Sequence, residues 1–190
     1  KNNTIGFGSQ VDFDAVGTYT VMPAMFKSEK SEHDGYHRVV GEHTGVKNTV
    51  TMKHFVNISA MSYGSLSAHA VSALNQGAGK AGILHNTGEG GFAPYHQMGG
   101  NVIFQLGTGK FGCRDDKGDF SDEAFADIAA HDNVSMIELK IMQGAKPGKG
   151  GILPKEKITA EIAAIRKVPM GQDILSPPRH DEFDDLVGMF

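Results

Sequence analysis

The 190 residues suffice for one core of ordinary domain size, and 39% hydrophobic with 21% charged residues excludes a disordered chain. A formal charge of −4 with no basic stripe between aromatics excludes a nucleic-acid surface, and no apolar run reaches the roughly 18 residues of a membrane span, so the expected partner is a small molecule. The single cysteine, Cys113, excludes an internal disulfide framework and cannot by itself hold zinc or an iron–sulfur cluster, which fits a reducing cytoplasm.

Residues 1–50 are turn-rich and polar and read as an irregular N-terminal segment; residues 51–190 read as the folded part. There KHFVNISAM (53–61) carries β-branched and apolar residues that end at small polar ones, as a buried strand does. SAHAVSALNQGAGKAG follows, with alanine and leucine at helical spacing and Ser67 as N-cap. GILHNT and NVIFQLG are two further short strands. SDEAFADIAAH is a helix capped by Ser121, with Asp122 and Glu123 placed for its N-terminal dipole. VSMIELKI is the clearest strand, and QGAKPGKGG then leads through ILPKEKIT into TAEIAAIRKV, a helix capped by Thr159.

Strands alternating with helices predict a mainly parallel sheet, either doubly wound or a (β/α)8 barrel, and in both the ligand lies at the carboxyl ends of the strands. Four polar, glycine-bearing stretches follow the predicted strands at that edge: SAMSYGS, HNTGEGG, QLGTGKFG and LKIMQGAKPG. HNTGEGG (85–91) sets a carboxylate, an amide, an imidazole and a hydroxyl among three glycines. Glycine loses the most entropy on folding, so such a run implies a main chain that something approaches closely.

Two familiar patterns fail on inspection. GTGKFG (107–112) matches GxGxxG, but a dinucleotide fingerprint needs a helix to start within the motif, and CRDDKGDFSDE delays it by about ten residues. In GAKPGKGG too few residues separate the first glycine from Gly148 and Lys149 for a phosphate loop, and no Ser or Thr follows the lysine. His33, His37 and His43 lie in a polar segment with no fixed face and read as surface histidines rather than metal ligands. Cys113 reads as a small buried hydrophobe rather than a redox thiol. Lys140 says more. Glu138 and Lys140 share one side of VSMIELKI, either as a charge pair at a strand end or, beside Gln105 and Glu89 on the same edge, as part of a cofactor contact. Gln143 and Lys146 add to that edge.

SAMSYGSLS, HNTGEGG, QLGTGKFG, ELKIMQGAKPGKGG and PMGQDILSPPRH, in this order, closely resemble the FMN-binding domain of the glutamate synthase family, over about residues 58–180. The resemblance implies a (β/α)8 TIM barrel with FMN at the carboxyl ends of its strands. It also implies an oxidoreductase that makes glutamate from 2-oxoglutarate and ammonia, the imine of the two being reduced by hydride from FMN. By the same resemblance Ala60, Met61 and Ser62 lie along the flavin ring and Gln105 hydrogen-bonds its edge. Lys140 sits near N1 and the C2 carbonyl, where a cation stabilises charge on reduced flavin. Glu89 faces the substrate as a proton carrier or iminium ligand, and Gln143 and Lys146 enclose the dicarboxylate.

A complete barrel needs about 250 residues, so the chain is expected to hold the first half of one and to lack the phosphate cradle after the last strands. The iron–sulfur cysteines of full glutamate synthases are absent from this segment. Weak or absent FMN binding, inactivity of the piece alone, and self-association through open sheet edges are the expectations. The electron donor stays unassigned. The alternatives are a flavin barrel acting on another 2-oxo or 2-hydroxy acid, and a non-catalytic interaction module.

Overall fold

A computed structural model describes residues 37–144 and 148–189. His33 and Lys146 therefore lie outside the described residues, as does most of the stretch read as an irregular N-terminal segment. Where that stretch is described it is not irregular throughout: β1 (Arg38–Val40) and β2 (Val50–Met52) pair antiparallel, Val39 opposite Thr51.

The helices form where cap and periodicity place them. Helix α1 (Ala68–Ala81) starts at Ser67, whose hydroxyl accepts from the Ala70 N–H at 3.2 Å, and ends on Gly82 in the left-handed conformation. Its buried face is Val71, Asn75 and Ala78, at the i, i+4, i+7 spacing of one helical stripe. Helix α2 (Asp122–Ala129) is capped by Ser121 and carries Asp122 and Glu123 in its first turn; α3 (Ala160–Arg166) is capped by Thr159. A last short turn, α4, spans Leu186–Met189.

Three strands form one parallel sheet in chain order: β3 (His85–Asn86), β4 (Val102–Leu106) and β5 (Val134–Leu139). The expected strand at 53–61 is mostly not one. Only its end runs beside β3: the Ile58 N–H donates to Leu84 O at 2.9 Å, Ile58 O accepts from Asn86 at 2.9 Å, and the Met61 N–H donates to Asn86 O at 3.0 Å. Phe55 and Val56, 74% and 61% exposed, have strand-forming side chains but belong to neither β2 nor β3. Beyond β5, two strands of two residues, β6 (Ile152–Leu153) and β7 (Ile174–Leu175), pair antiparallel on either side of α3.

Alternation along β4 decides what each face holds. Phe104 and Leu106 point into a core with Cys113, against which Phe125 and Ile128 of α2 pack. Gln105 points to the opposite face, and its register partner is Glu138. A second core joins Phe111 to Ile162, Ala163, Leu153 and Ile174, fastening α3 and the β6–β7 pair over the loops.

Asn75 is the polar pin of the first βα unit. Its Oδ1 accepts from the N–H groups of Met98 (2.7 Å) and Gly100 (3.1 Å), and its Nδ2 donates to Gly100 O at 3.1 Å, drawing that loop onto α1. The approach is so close that a Cβ on Gly79 would lie 2.5 Å from Gly99 O, whereas nothing stands within 4 Å of one on Gly77. Two glycines two residues apart in one helix should therefore respond oppositely. Gly77→Ala should stabilise by about 1 kcal/mol through helix propensity, and Gly79→Ala should destabilise by about 1–3 kcal/mol through overpacking against backbone. Urea unfolding of the two variants measures both signs.

Candidate active site

The carboxyl ends of β3, β4 and β5 deliver their loops to one cavity of about 220 Å3. It is lined by Ala60, Ser62, Glu89, Gln105, Lys140, Gln143 and Arg166 among others. Six of the residues singled out in the sequence thus meet in one place. Met61 is near but not in the wall: its carbonyl accepts from His96 at 3.0 Å and its N–H is spent on Asn86.

Glu89 is the centre of this group. Its Oε2 lies 2.6 Å from Lys140 Nζ, and Gln143 Nε2 donates to both carboxylate oxygens at 2.8 and 2.9 Å. The pair is half-buried, where a charge left without its partner is costly. Gly107 makes the arrangement possible, because a Cβ there would lie 2.2 Å from Glu89 Oε1. Lys140 follows β5 directly and is two residues from Glu138 on the same face. The two nevertheless take different partners, Lys140 pairing with Glu89 and Glu138 with Gln105. They are not a charge pair capping the strand.

Gln105 Nε2 donates to Glu138 Oε1, and since a carboxylate can only accept, this fixes which end of the amide is which. Gln105 Oε1 is consequently a buried acceptor with no partner among the described residues. It is placed to accept from an N–H donor on a ligand. Small residues at Ala60 and Ser62, the Lys140 ammonium and this acceptor together suit a flat, polar-edged, electron-accepting ring.

The close approach that the glycines of residues 85–91 imply is made, at Gly88 and Gly90, by another loop of the protein. A Cβ on Gly88, at φ +66°, would lie 2.8 Å from Ser62 N, and one on Gly90 would lie 2.9 Å from Ser62 Cβ and 3.1 Å from an Arg166 nitrogen. They let two protein loops touch and leave a slot for Arg166.

Arg166 is the site residue that sequence reading missed. It occupies the last turn of α3, is 5% exposed, donates from Nη2 to Tyr63 O at 2.9 Å, stands over the Phe111 ring at 5.2 Å, and has an Nε with no partner among the described residues. Burial lowers its pKa, while the Glu89 carboxylate works in the opposite direction. Arginine holds its charge even so, leaving a desolvated cation at the cavity wall. A signal existed: Arg166 stands four residues after Ile162, on the stripe that α3 buries. Cys113 is fully buried and burial pushes its thiol up to about 12, with Lys167 opposing, so it is a packing residue.

Consecutive parallel strands whose carboxyl-end loops meet at a polar cavity define a ligand-binding protein of the α/β class, with helices on the sheet. The chain belongs to the glutamate synthase family: the family model for the conserved region in glutamate synthase matches residues 18–189. It is 38% identical to the glutamate synthase large subunit-like protein YerD of Bacillus subtilis, over 97% of this chain and 42% of that protein. It is 44% identical to the archaeal glutamate synthase [NADPH] of Archaeoglobus fulgidus, over 65% of this chain and 22% of that protein. With the archaeal-type glutamate synthase [NADPH] of Thermotoga maritima the identity is 41%, over 66% and 23%. The chain thus spans less than half the length of these relatives. No helix among the described residues is long and apolar enough to cross a membrane.

His85 opens the glycine loop and gives the site a pH dependence. It is fully buried, and desolvation, then the neighbouring His96, lower its imidazole to about 4. An unfolded histidine takes its proton near pH 6.5, so the unfolded state binds more protons than the folded state between about pH 6.5 and 4, and stability is lost as pH falls through that window. Unfolding free energies measured by urea titration should decline over this range, and His85→Gln should flatten the slope.

Proposed function

We propose that the chain carries the ring-facing half of an FMN site in a glutamate synthase-type oxidoreductase, which makes L-glutamate from 2-oxoglutarate and ammonia. The observation that carries the reading is the cluster at Glu89: one carboxylate held by Lys140 and Gln143 in a cavity that also presents the free acceptor of Gln105 and the Arg166 cation. Bound FMN would supply the hydride chemistry.

In this reading Gln105 Oε1 accepts from the ring edge, while Ala60 and Ser62 present small side chains that a flat ring can lie against. The Lys140 ammonium stabilises negative charge gathered on the ring, an electrostatic role that is strong because the site is partly desolvated. Glu89 then binds the ammonium or iminium nitrogen and moves its proton, for which it must loosen from Lys140 or Gln143. Arg166 and Gln143 are suited to the carboxylates of a dicarboxylate, and Lys146, outside the described residues, is assigned to the same substrate by the family resemblance.

The strand order supports a (β/α)8 barrel as the complete fold. Ile58–β3–β4–β5 neighbour one another in chain order, with no reversal of the kind that marks a doubly wound sheet. In such a barrel the phosphate lies beside the last strands. This chain by itself is therefore assigned weak FMN binding, no turnover, and a tendency to self-associate along the open edge of β5, where Ile137 is 41% exposed. The electron donor lies outside the chain, and a soluble setting in the cytoplasm completes the proposal.

An FMN titration followed by flavin fluorescence, on this chain and on the complete protein, tests the assignment. The complete protein should bind and this chain should bind far more weakly or not at all. In the complete protein Glu89→Gln should reduce turnover with 2-oxoglutarate and ammonia by about 10²-fold or more, and Lys140→Met should make bound FMN harder to reduce. Turnover unchanged by Glu89→Gln would favour a different 2-oxo or 2-hydroxy acid as substrate, and a complete protein that binds no flavin would defeat the reading.

A further inference from the structure

Lys140 stands one residue beyond β5, where a strand end is ordinarily free to fray, and yet both of its backbone polar groups are fixed. Its N–H donates to Leu106 O at 2.9 Å, continuing the ladder. Its carbonyl accepts from His180 Nε2, also at 2.9 Å, across forty residues of chain. A carbonyl can only accept, so the Nε2 of His180 carries a proton.

His180 is itself held from the far side. It is 3% exposed and stacks on Phe183 with ring centroids 5.2 Å apart, and its Nδ1 lies 3.5 Å from Glu182 Oε2. The other carboxylate oxygen of Glu182 meets Lys110 Nζ at 2.6 Å. Lys110 is a buried lysine in the glycine-rich turn after β4, with φ at +54°. That conformation costs a side-chain-bearing residue free energy and belongs to glycine, so a lysine placed there points to a use for its ammonium. Burial works to raise the pKa of Glu182, but hydrogen bonding from Lys110 and the charges around it hold the carboxyl below the usual range, consistent with a lasting ion pair.

We propose that His180 is a positioning residue for Lys140: supported by Glu182 and Lys110, it fixes the Lys140 carbonyl and so keeps the ammonium on Glu89 and at the cavity. The chemical use of that placement rests on the flavin reading above; the placement itself does not. The PPRHDE stretch thereby joins the site without touching a ligand, and the turn after β4 is coupled to the residue after β5.

The test reads Lys140 directly. In the complete protein without cofactor, competitive acetylation by acetic anhydride, followed by mass spectrometry, compares Lys140 with the exposed Lys80 and Lys117 as internal standards. His180→Leu should raise the relative reactivity of Lys140 about threefold, the scale of releasing one partly exposed ion pair. His180→Gln, which can still donate to the carbonyl, should restore the original value. Lys110→Gly removes the ammonium while relieving the backbone, and should move Lys140 in the same direction as His180→Leu. Val71→Ala, a core truncation in α1, should lower the thermal midpoint and leave Lys140 unchanged. Unchanged reactivity in both His180→Leu and Lys110→Gly overturns the proposal, as does an equal rise in Val71→Ala. Should His180→Leu fail to fold, Lys110→Gly alone decides. Absence of FMN binding by the unaltered protein would count against the flavin reading only, since the acetylation readout needs no cofactor.

Discussion

Glu89 is a carboxylate with both oxygens engaged, and the rest of the site is arranged around keeping it so. Lys140 comes from the end of one strand and Gln143 from the loop beyond it, while Glu89 comes from a loop two strands away. The three depend on one another, because a partly desolvated charge is costly unless opposite charge or hydrogen-bond donors meet it. Gly107, the residue just past the strand between, supplies the empty volume into which the carboxylate fits. Removing that volume, the cation or the amide would unsettle the other two.

Around this centre the structure trades side chains for proximity. Gly88 and Gly90 bring their loop onto Ser62, Gly64 and Gly90 leave space for the Arg166 guanidinium, and Asn75 draws the Gly99–Gly100 backbone against α1. The entropy these glycines lose on folding is offset by contacts that no residue with a Cβ could make. The loops at the carboxyl edge are therefore a packed layer. Gln105 Oε1 and Arg166 Nε, which have no partner among the described residues, are places where a ligand has something to gain.

The two sides of β4 divide the labour. One face, Phe104 and Leu106, binds α2 through an aromatic core that includes Cys113; the other, Gln105, faces the cavity and is paired in register with Glu138. The parallel sheet thus has one face committed to helix packing and the other to polar groups at the cavity. The parallel strands stand in chain order.

Much of this was legible in the chain itself, for local reasons. Ser67, Ser121 and Thr159 cap the helices they were expected to cap, because a cap depends on a side chain and a backbone N–H two or three residues away. Glu89, Gln105, Lys140 and Gln143 were identifiable as polar groups at strand ends, since alternation and strand order suffice to put them on one edge. Other features depend on contacts distant in sequence. KHFV includes strand-forming side chains, but a strand also needs a neighbour's ladder, and the bridge to β3 is made at Ile58. The purpose of the glycines, the burial of Arg166 and the reach of His180 to the Lys140 carbonyl were decided in three dimensions. Spacing in a sequence fixes which groups share a face, whereas which of them meet, and which are left without a partner, depends on loops that come together only once the sheet and its helices have packed.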